Sequence, residues 1–155
     1  MKASRYAALR TQIDALIEGE EDLISVMATV ACELYQAFDE WNWVGFYRLV
    51  DPSTLKVGPY QGTHGCLTIA IDRGVCGKCV REAASQLEND VTALPHHIAC
   101  SPDTRAELVV PVLDCAGSVR AVLDIDSRQK GIFDQLDVEH LESIARAVGE
   151  RYPLT

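Results

Sequence analysis

The sequence predicts an α+β domain built on an antiparallel sheet, and three patterns support this fold class. Apolar residues recur at helix spacing in the segments 1–38 and 134–150. The middle of the chain, 42–127, contains short runs of β-branched and aromatic residues separated by turn residues. At 155 residues the chain is long enough to bury one hydrophobic core. We therefore expect a single domain, 1–155, with helices from both ends packed on a central sheet.

Three helices are predicted from the apolar periodicity, and each should lie with one face on the sheet. The first two are separated by a break at Gly19-Glu20-Glu21, and Asp134 is placed to cap the last helix. Their stripes are Leu9, Ile13, Leu16 and Ile17, then Leu23, Met27, Val30 and Leu34, and finally Val138, Leu141, Ile144, Ala145 and Val148.

The strands are predicted from β-branched and aromatic runs bounded by turn signals. The predicted strands are 42–50, 55–60, 67–71, 108–113 and 119–126, with a short helix from about 78 to 84. The turn Asp51-Pro52-Ser53 makes the first two strands a hairpin, and Pro111 predicts an edge or a bulge in the fourth. Sequential pairing of these strands gives an antiparallel sheet.

Two aromatic residues share one face of the first strand. Side chains alternate along a strand, so Trp43, Gly45 and Tyr47 point the same way. The glycine between the rings predicts a slot for a small apolar ligand group. The alternative is that both rings simply fill the core.

Composition excludes several classes of function. A net charge of −9 opposes binding to the phosphate backbone of nucleic acids. The apolar runs are too short for a membrane span, and the first residues lack the apolar run of a signal peptide. We therefore expect a cytoplasmic protein, whose six cysteines indicate thiol chemistry or metal binding rather than a framework of disulfides.

Cys100 is the candidate nucleophile. It follows two histidines in a segment of breaker composition, 96–107, where a positive neighbour would lower the pKa of its thiol. Cys76 is a second candidate, because it lies at the predicted start of a helix, whose dipole favours a thiolate. For Cys100 the alternative is a small buried hydrophobic residue.

The same cysteines allow a metal-binding alternative. Cys76 and Cys79 form a Cys-x-x-Cys pair, and together with His97 and Cys100 they could hold a tetrahedral zinc ion. A zinc site would not explain the carboxylates that follow, so we expect no metal.

Two aspartates alternate with apolar residues at the end of the last strand. Asp124 and Asp126 therefore face one side, about 7 Å apart. Two like charges in apolar surroundings need a cation, either an ammonium group or a metal ion, to offset their repulsion. The alternative is that they lie on the solvent face of the strand.

Five segments together resemble the free methionine-(R)-sulfoxide reductases, which are single GAF domains. They are Asn-Trp-Val-Gly-Phe-Tyr at 42–47, Gly-Pro-Tyr-Gln-Gly at 58–62, Arg-Gly-Val-Cys-Gly at 73–77, His-Ile-Ala-Cys at 97–100 and Leu-Asp-Ile-Asp-Ser at 123–127. The resemblance covers nearly the whole chain in order. It implies a GAF-like sheet with the terminal helices on one face and the active-site loops on the other.

The resemblance also implies roles for the cysteines and for Glu107. Cys100 would attack the sulfoxide sulfur and become a sulfenic acid, while Glu107 assists at the oxygen. Cys66 and Cys76 would then condense with Cys100 to a disulfide, which a thioredoxin-type reductant reduces. No other cofactor is implied.

The remaining implied roles concern the substrate. Asp124 and Asp126 would hold its ammonium group, and the rings of Trp43 and Tyr47 would enclose its sulfur end. A methionine sulfoxide inside a peptide has an amide in place of that ammonium, so the acidic pocket would select the free amino acid.

Several points stay open in the sequence. Cys79 is an extra thiol beside Cys76, and the loop between Cys100 and Glu107 departs from the expected small residues. A non-catalytic GAF module that senses a small molecule is the alternative function. The sequence leaves both a monomer and a homodimer open.

Overall fold

The computed structural model of the protein describes residues 1–95 and 100–154. The helices are α1 (Lys2–Ile17), α2 (Leu23–Ala37), α3 (Gly74–Glu82) and α4 (Gln135–Gly149), with a 3₁₀ turn at Val91–Ala93. The strands are β1 (Trp41–Asp51), β2 (Thr54–Gly62), β3 (Thr68–Ala70), β4 (Gln86–Glu88), β5 (Ala106–Leu113) and β6 (Val119–Ser127). The α+β class is confirmed, and no helix within the described ranges is long and apolar enough to cross a membrane.

The strands form one antiparallel sheet in the order β3-β2-β1-β6-β5-β4. The predicted hairpin is present as β1 with β2, and β5 and β6 form a second hairpin. The central pairing of β1 with β6 joins the two hairpins and places Trp43 beside Asp126 and Gly45 beside Asp124. Segments about 80 residues apart in sequence, 43–47 and 122–126, therefore share one surface.

One face of the sheet is covered by α2 and α4, and α1 packs mainly on these two helices. Alternate residues of the central strands, such as Phe46, Leu108 and Leu123, are fully buried there against the apolar sides of these helices. The predicted cap at Asp134 is confirmed, because its carboxylate accepts from the backbone N–H of Asp137 within a capping box. This face is a continuous apolar core.

The opposite face carries a smaller cluster under α3 and the loops, and it includes Trp43, Tyr47 and Val109. Helix α3 begins at Gly74 rather than near residue 78, because the turn at Gly74, with φ of 67°, already starts it. Gly77 allows close packing, since a Cβ there would lie 2.8 Å from the backbone carbon of Ile71. The terminal helices and the loops thus lie on opposite faces, as expected.

Strand β4 was not predicted, because three residues are too few to show an alternating pattern. It covers β5 only from Glu107 to Val109, so Pro111 lies beyond its end. Pro111 is paired on one side only, with Val122. The predicted edge at Pro111 is therefore confirmed, since a proline cannot donate a hydrogen bond to a further strand.

Candidate active site

Cys66 and Cys100 form a disulfide across 34 residues of sequence, with their Cα atoms 5.4 Å apart. Both cysteines are partly exposed at the rim of the second face, Cys66 just before β3 and Cys100 in the loop before β5. His96 and His97, which we expect to lower the pKa of the Cys100 thiol, lie outside the described residues. The structure thus brings together the predicted nucleophile and one of its two implied partners.

The segment from Cys100 to β5 is held in a folded shape by Arg105. Its guanidinium donates to the backbone carbonyls of Pro102, at 2.9 Å, and Thr104, at 3.1 Å. The backbone N–H of Arg105 bonds to Ser127 at the end of β6. These contacts hold the chain in place where it leaves the sheet, next to Glu107. The segment before β5 therefore forms an ordered turn, where the family resemblance leads us to expect a loop of small residues.

The aromatic floor of the site differs from the predicted slot. The rings of Trp43 and Tyr47 do share one face, but they stack at 5.6 Å between centroids. The gap at Gly45 is filled by Tyr60 of the paired strand and by Trp43 itself, since a Cβ at that position would lie 2.6 Å from the Trp43 ring. The predicted slot between the rings was therefore wrong, and any ligand must lie on the floor rather than within it.

A short loop lies across this floor, and no pattern in the sequence indicated its role. The indole N–H of Trp43 donates to the carbonyl of Thr63 at 2.9 Å. Gly65 follows closely, since a Cβ there would lie 2.9 Å from the Tyr47 hydroxyl and 3.0 Å from the Trp43 ring. The absence of a side chain at Gly65 thus lets the segment before Cys66 lie flat on both rings.

Three carboxyl groups meet beside the floor. In the strand register Glu107 is opposite Asp126, and Asp124 is one step further along the same face of β6. Glu107 and Asp124 are only 7% and 4% exposed. One oxygen of each aspartate, Oδ1, is buried without a hydrogen-bond partner among the described residues. The alternative that the aspartates lie on a solvent face was therefore wrong.

The electrostatics of this group favour protonated acids in the absence of a cation. Burial and the charge of Asp126 raise the pKa of Glu107 to about 8. Burial, together with the charge of Glu107, raises the pKa of Asp124 well above its usual range, and burial with Asp124 does the same for Asp126. Three like charges this close cannot all ionise at neutral pH, so the group either keeps protons or binds a cation.

Cys76 lies beside the same group of acids, but it is not the thiolate that the sequence predicted. It is 4% exposed, and burial and the charge of Asp124 raise the pKa of its thiol well above the usual value. The expectation of a thiolate at the start of α3 was wrong, because desolvation and the neighbouring acids outweigh the helix dipole. Cys76 is a buried thiol in the folded protein.

The predicted zinc set is not favoured by the structure. Cys100 is bonded to Cys66, and Cys79 is fully buried in the apolar cluster, where burial raises its pKa to about 12. His97 lies outside the described residues. In the part of the chain that the structure describes, Cys76 lies near Glu107 and Asp124 instead, with one ligand atom from each within 4.8 Å of the others.

The disulfide, the aromatic floor and the acids surround one small cavity of about 30 Å³. Its wall also includes His64, Gly65 and Thr104, which the sequence analysis did not single out. The arrangement is that of a thiol–disulfide redox site next to a group of acids that can bind a cation.

Comparisons with known proteins agree with this class of site. Residues 19–150 match the GAF domain model. The chain is 36% identical to the free methionine-R-sulfoxide reductase of Escherichia coli, over 92% of this chain and 86% of that one, and 32% identical to the enzyme of that name from Saccharomyces cerevisiae, over 88% and 79%. The free methionine-R-sulfoxide reductase of Neisseria meningitidis, solved with its substrate, matches with a TM-score of 0.91 and 38% identity, over 97% of this chain and 90% of that one.

The chain therefore belongs to the GAF domain family and, within it, to the free methionine-R-sulfoxide reductases. The family predicted from the five sequence segments is confirmed.

Proposed function

We propose that this protein reduces free methionine-(R)-sulfoxide to methionine and stores the oxidation as the Cys66–Cys100 disulfide. The observation that carries this proposal is the position of that disulfide at a cavity lined by Glu107 and Asp124. Redox chemistry and recognition of a cation are thereby combined in one place. We infer the substrate from the names of the relatives, and the chemistry from the residues of the site.

The first step needs a thiolate and a proton donor. The thiolate of Cys100 attacks the sulfoxide sulfur, Glu107 donates a proton to the departing oxygen, and that oxygen is transferred to the Cys100 sulfur. Methionine leaves with its sulfur reduced, and Cys100 becomes a sulfenic acid. Glu107 suits this role because its pKa of about 8 keeps its proton at neutral pH.

The second step closes the disulfide. The thiol of Cys66 attacks the sulfenic sulfur of Cys100, forms the S–S bond and releases water. Two thiols have then been oxidised and one sulfoxide reduced, which balances the electrons. Cys66 is the resolving thiol that this geometry supports, and a resolving role for Cys76 stays a prediction, because its thiol is buried and strongly protonated.

Substrate selection follows from the acids. The ammonium of a free amino acid supplies the positive charge that the aspartate pair needs, whereas a residue in a peptide brings a neutral amide. The Oδ1 atoms of Asp124 and Asp126 have no other partner within the described part of the chain. The thioether end would lie against Trp43 and Tyr47, where sulfur–aromatic contacts are favourable.

Turnover requires a dithiol that reduces the Cys66–Cys100 bond, and we propose a thioredoxin-type protein for this role. No additional cofactor enters the scheme, because the thiols supply both electrons. Cytoplasmic location stays a prediction of the sequence, and the choice between a monomer and a homodimer stays open.

The test is an assay of methionine release with dithiothreitol as reductant. We expect release from the free R epimer and none from its N-acetyl derivative, which lacks the ammonium. A sensor that binds without chemistry would instead retain methionine sulfoxide unchanged in the presence of reductant, and that result would reject the proposal.

A further inference from the structure

Cys76 is a polar group in the cavity that the reaction above does not use. Its Sγ atom, a carboxylate oxygen of Glu107 and a carboxylate oxygen of Asp124 all lie within 4.8 Å of one another. All three residues are buried, and they come from three different elements, α3, β5 and β6. The fold therefore converges on one point with a sulfur and two oxygen ligands.

A second observation concerns the hydrogen bonding of the aspartates at this point. The Oδ1 atom of Asp124 has no hydrogen-bond partner among the described residues, although its residue is only 4% exposed and lines the cavity. The Oδ1 atom of Asp126, on the same face of β6, is in the same condition. A buried acceptor without a donor is costly, and a cation bound at this point would satisfy the acceptor of Asp124.

The ligand set determines which cation fits. Thiolate together with carboxylate favours zinc or a similar thiophilic ion, whereas magnesium and calcium require oxygen ligands. Tetrahedral zinc bonds of about 2.0 to 2.3 Å place ligands about 3.3 to 3.8 Å apart. The observed separations of up to 4.8 Å need only side-chain adjustments to reach that distance.

We propose that Cys76, Glu107 and Asp124 form a binding site for a thiophilic divalent cation such as zinc, and that the bound ion excludes the substrate. The ion would occupy the place of the substrate ammonium and would also hold Glu107, which is the proposed proton donor. Zinc is thus a reversible inhibitor in this proposal. The exclusion of substrate depends on the proposed function, whereas the binding of the ion does not.

The binding is tested by titrating cobalt(II) into oxidised protein, in which Cys66 and Cys100 are joined and cannot bind a metal. Exposed Cys115 and half-buried Cys32 are replaced by serine in every sample. We expect thiolate-to-cobalt charge-transfer absorption that saturates at one equivalent and is displaced by zinc but not by magnesium.

Two further replacements provide the matched comparison. Cys76→Ser should abolish the absorption, whereas Cys79→Ser, three residues away on the same helix, should leave it unchanged. Asp124→Asn should weaken binding without removing the thiol, so the result does not depend on one variant. Absorption that persists without Cys76, or that disappears only without Cys79, would overturn the assignment. Near-ultraviolet circular dichroism checks that each variant is folded.

The exclusion is tested in the Cys66→Ser, Cys100→Ser double variant, which cannot consume substrate. Calorimetry should show that zinc at about ten times its Kd weakens the binding of methionine sulfoxide about tenfold. The effect should vanish when Cys76→Ser is added. Simultaneous binding of both ligands would contradict the exclusion alone. Wild-type protein that binds cobalt but never releases methionine would reject the proposed function and leave the metal site standing.

Discussion

The two faces of strand β6 carry opposite kinds of side chain, although the residues alternate along the same strand. Leu123 and Ile125 point to the helix-covered face, where both are fully buried among apolar side chains. Asp124 and Asp126 point to the other face, where they meet Glu107 and the thiol of Cys76. Burial of the apolar side chains on the first face stabilises the folded protein. Burial of the carboxyl groups on the second face destabilises it, because these groups are charged in water at neutral pH.

This difference shows how the domain can sustain a reactive site. The helix face forms a continuous apolar core, from Tyr6 in α1 to Val148 in α4, and it holds the strands in register. That register in turn keeps three acids together that would separate if they were free to move. Stability therefore comes from one face and chemistry from the other, and each prediction below tests one side of that division.

The largest effect is expected at Cys100. Cys100→Ser should abolish methionine release even in a single turnover, because no other thiol is expected to attack the sulfoxide. Cys66→Ser is the matched control, which should still release one methionine per enzyme and then stop. Quantification of methionine after mixing reduced enzyme with excess substrate distinguishes the two. Sulfoxide reduction by the Cys100→Ser protein would remove the nucleophile assignment.

Glu107→Gln should come next. The amide cannot donate the proton that the departing oxygen needs, so kcat should fall by about 10² to 10⁴. Stability should not fall, because the substitution removes an acid from a crowded site. Glu139, which is exposed on α4, offers the control, and Glu139→Gln should keep the wild-type rate. Steady-state rates with saturating substrate decide between the two outcomes.

On the helix face the expected loss is in stability rather than in rate. Leu123→Ala leaves a cavity in a close-packed core and should lower the free energy of unfolding by about 2 to 5 kcal/mol. Asp124→Asn, one residue away, should lower it little or raise it, because a buried carboxyl is removed. Urea denaturation of the oxidised proteins measures both. Equal destabilisation by the two substitutions would contradict the claim that stability comes mainly from the helix-covered face.

Much of this division could be predicted from the sequence, because it follows from local patterns. The alternation of apolar and acidic residues at 123–126 placed Asp124 and Asp126 on one face, and their register with β1 confirms this. The helices and both hairpins likewise follow from periodicity and turn residues. These features depend only on residues close together in the chain.

The rest depends on contacts between distant segments. Nothing local indicates that Glu107 lies opposite Asp126, because that requires the register of β5 with β6. The slot at Gly45 was predicted wrongly since the lean of the Trp43 ring cannot be read from alternation. The thiolate at Cys76 was predicted wrongly because the helix start was visible, whereas the acids that cover it were not.

The stability of the substrate-free protein should depend on pH through the acidic face. Glu107 holds its proton up to about pH 8 when folded but loses it near pH 4.5 when unfolded. Below pH 4.5 the carboxyl of Glu107 is protonated in both states, and its full contribution to the free energy of unfolding is present. Between pH 4.5 and about 8 the folded protein binds this proton more tightly than the unfolded chain. The free energy of unfolding therefore falls as pH rises through this range, by about a few kcal/mol.

Thermal unfolding of oxidised protein between pH 5.5 and 8 should therefore show a falling Tm, and Glu107→Gln should make the slope smaller. The remaining slope comes from Asp124 and Asp126, whose pKa values are also raised. Asp22, Asp51 and Asp114 have lowered pKa values, so they act only at lower pH. A slope that is the same in both proteins would show that Glu107 is not the titrating group.

The smallest effect is expected for substrate binding at the aspartate pair. Asp124→Asn or Asp126→Asn removes one charge-assisted contact to the ammonium, worth about 1.5 to 3 kcal/mol, so KM should rise about ten- to a hundredfold. The change in kcat should be smaller, because the ammonium lies away from the reacting sulfur and is held equally before and during reaction. The comparison ligand is the N-acetyl derivative of methionine sulfoxide, against which wild type and variants should be equally poor. If both variants keep the wild-type KM, the acids do not bind the ammonium, and the selection of a free amino acid must come from elsewhere in the pocket.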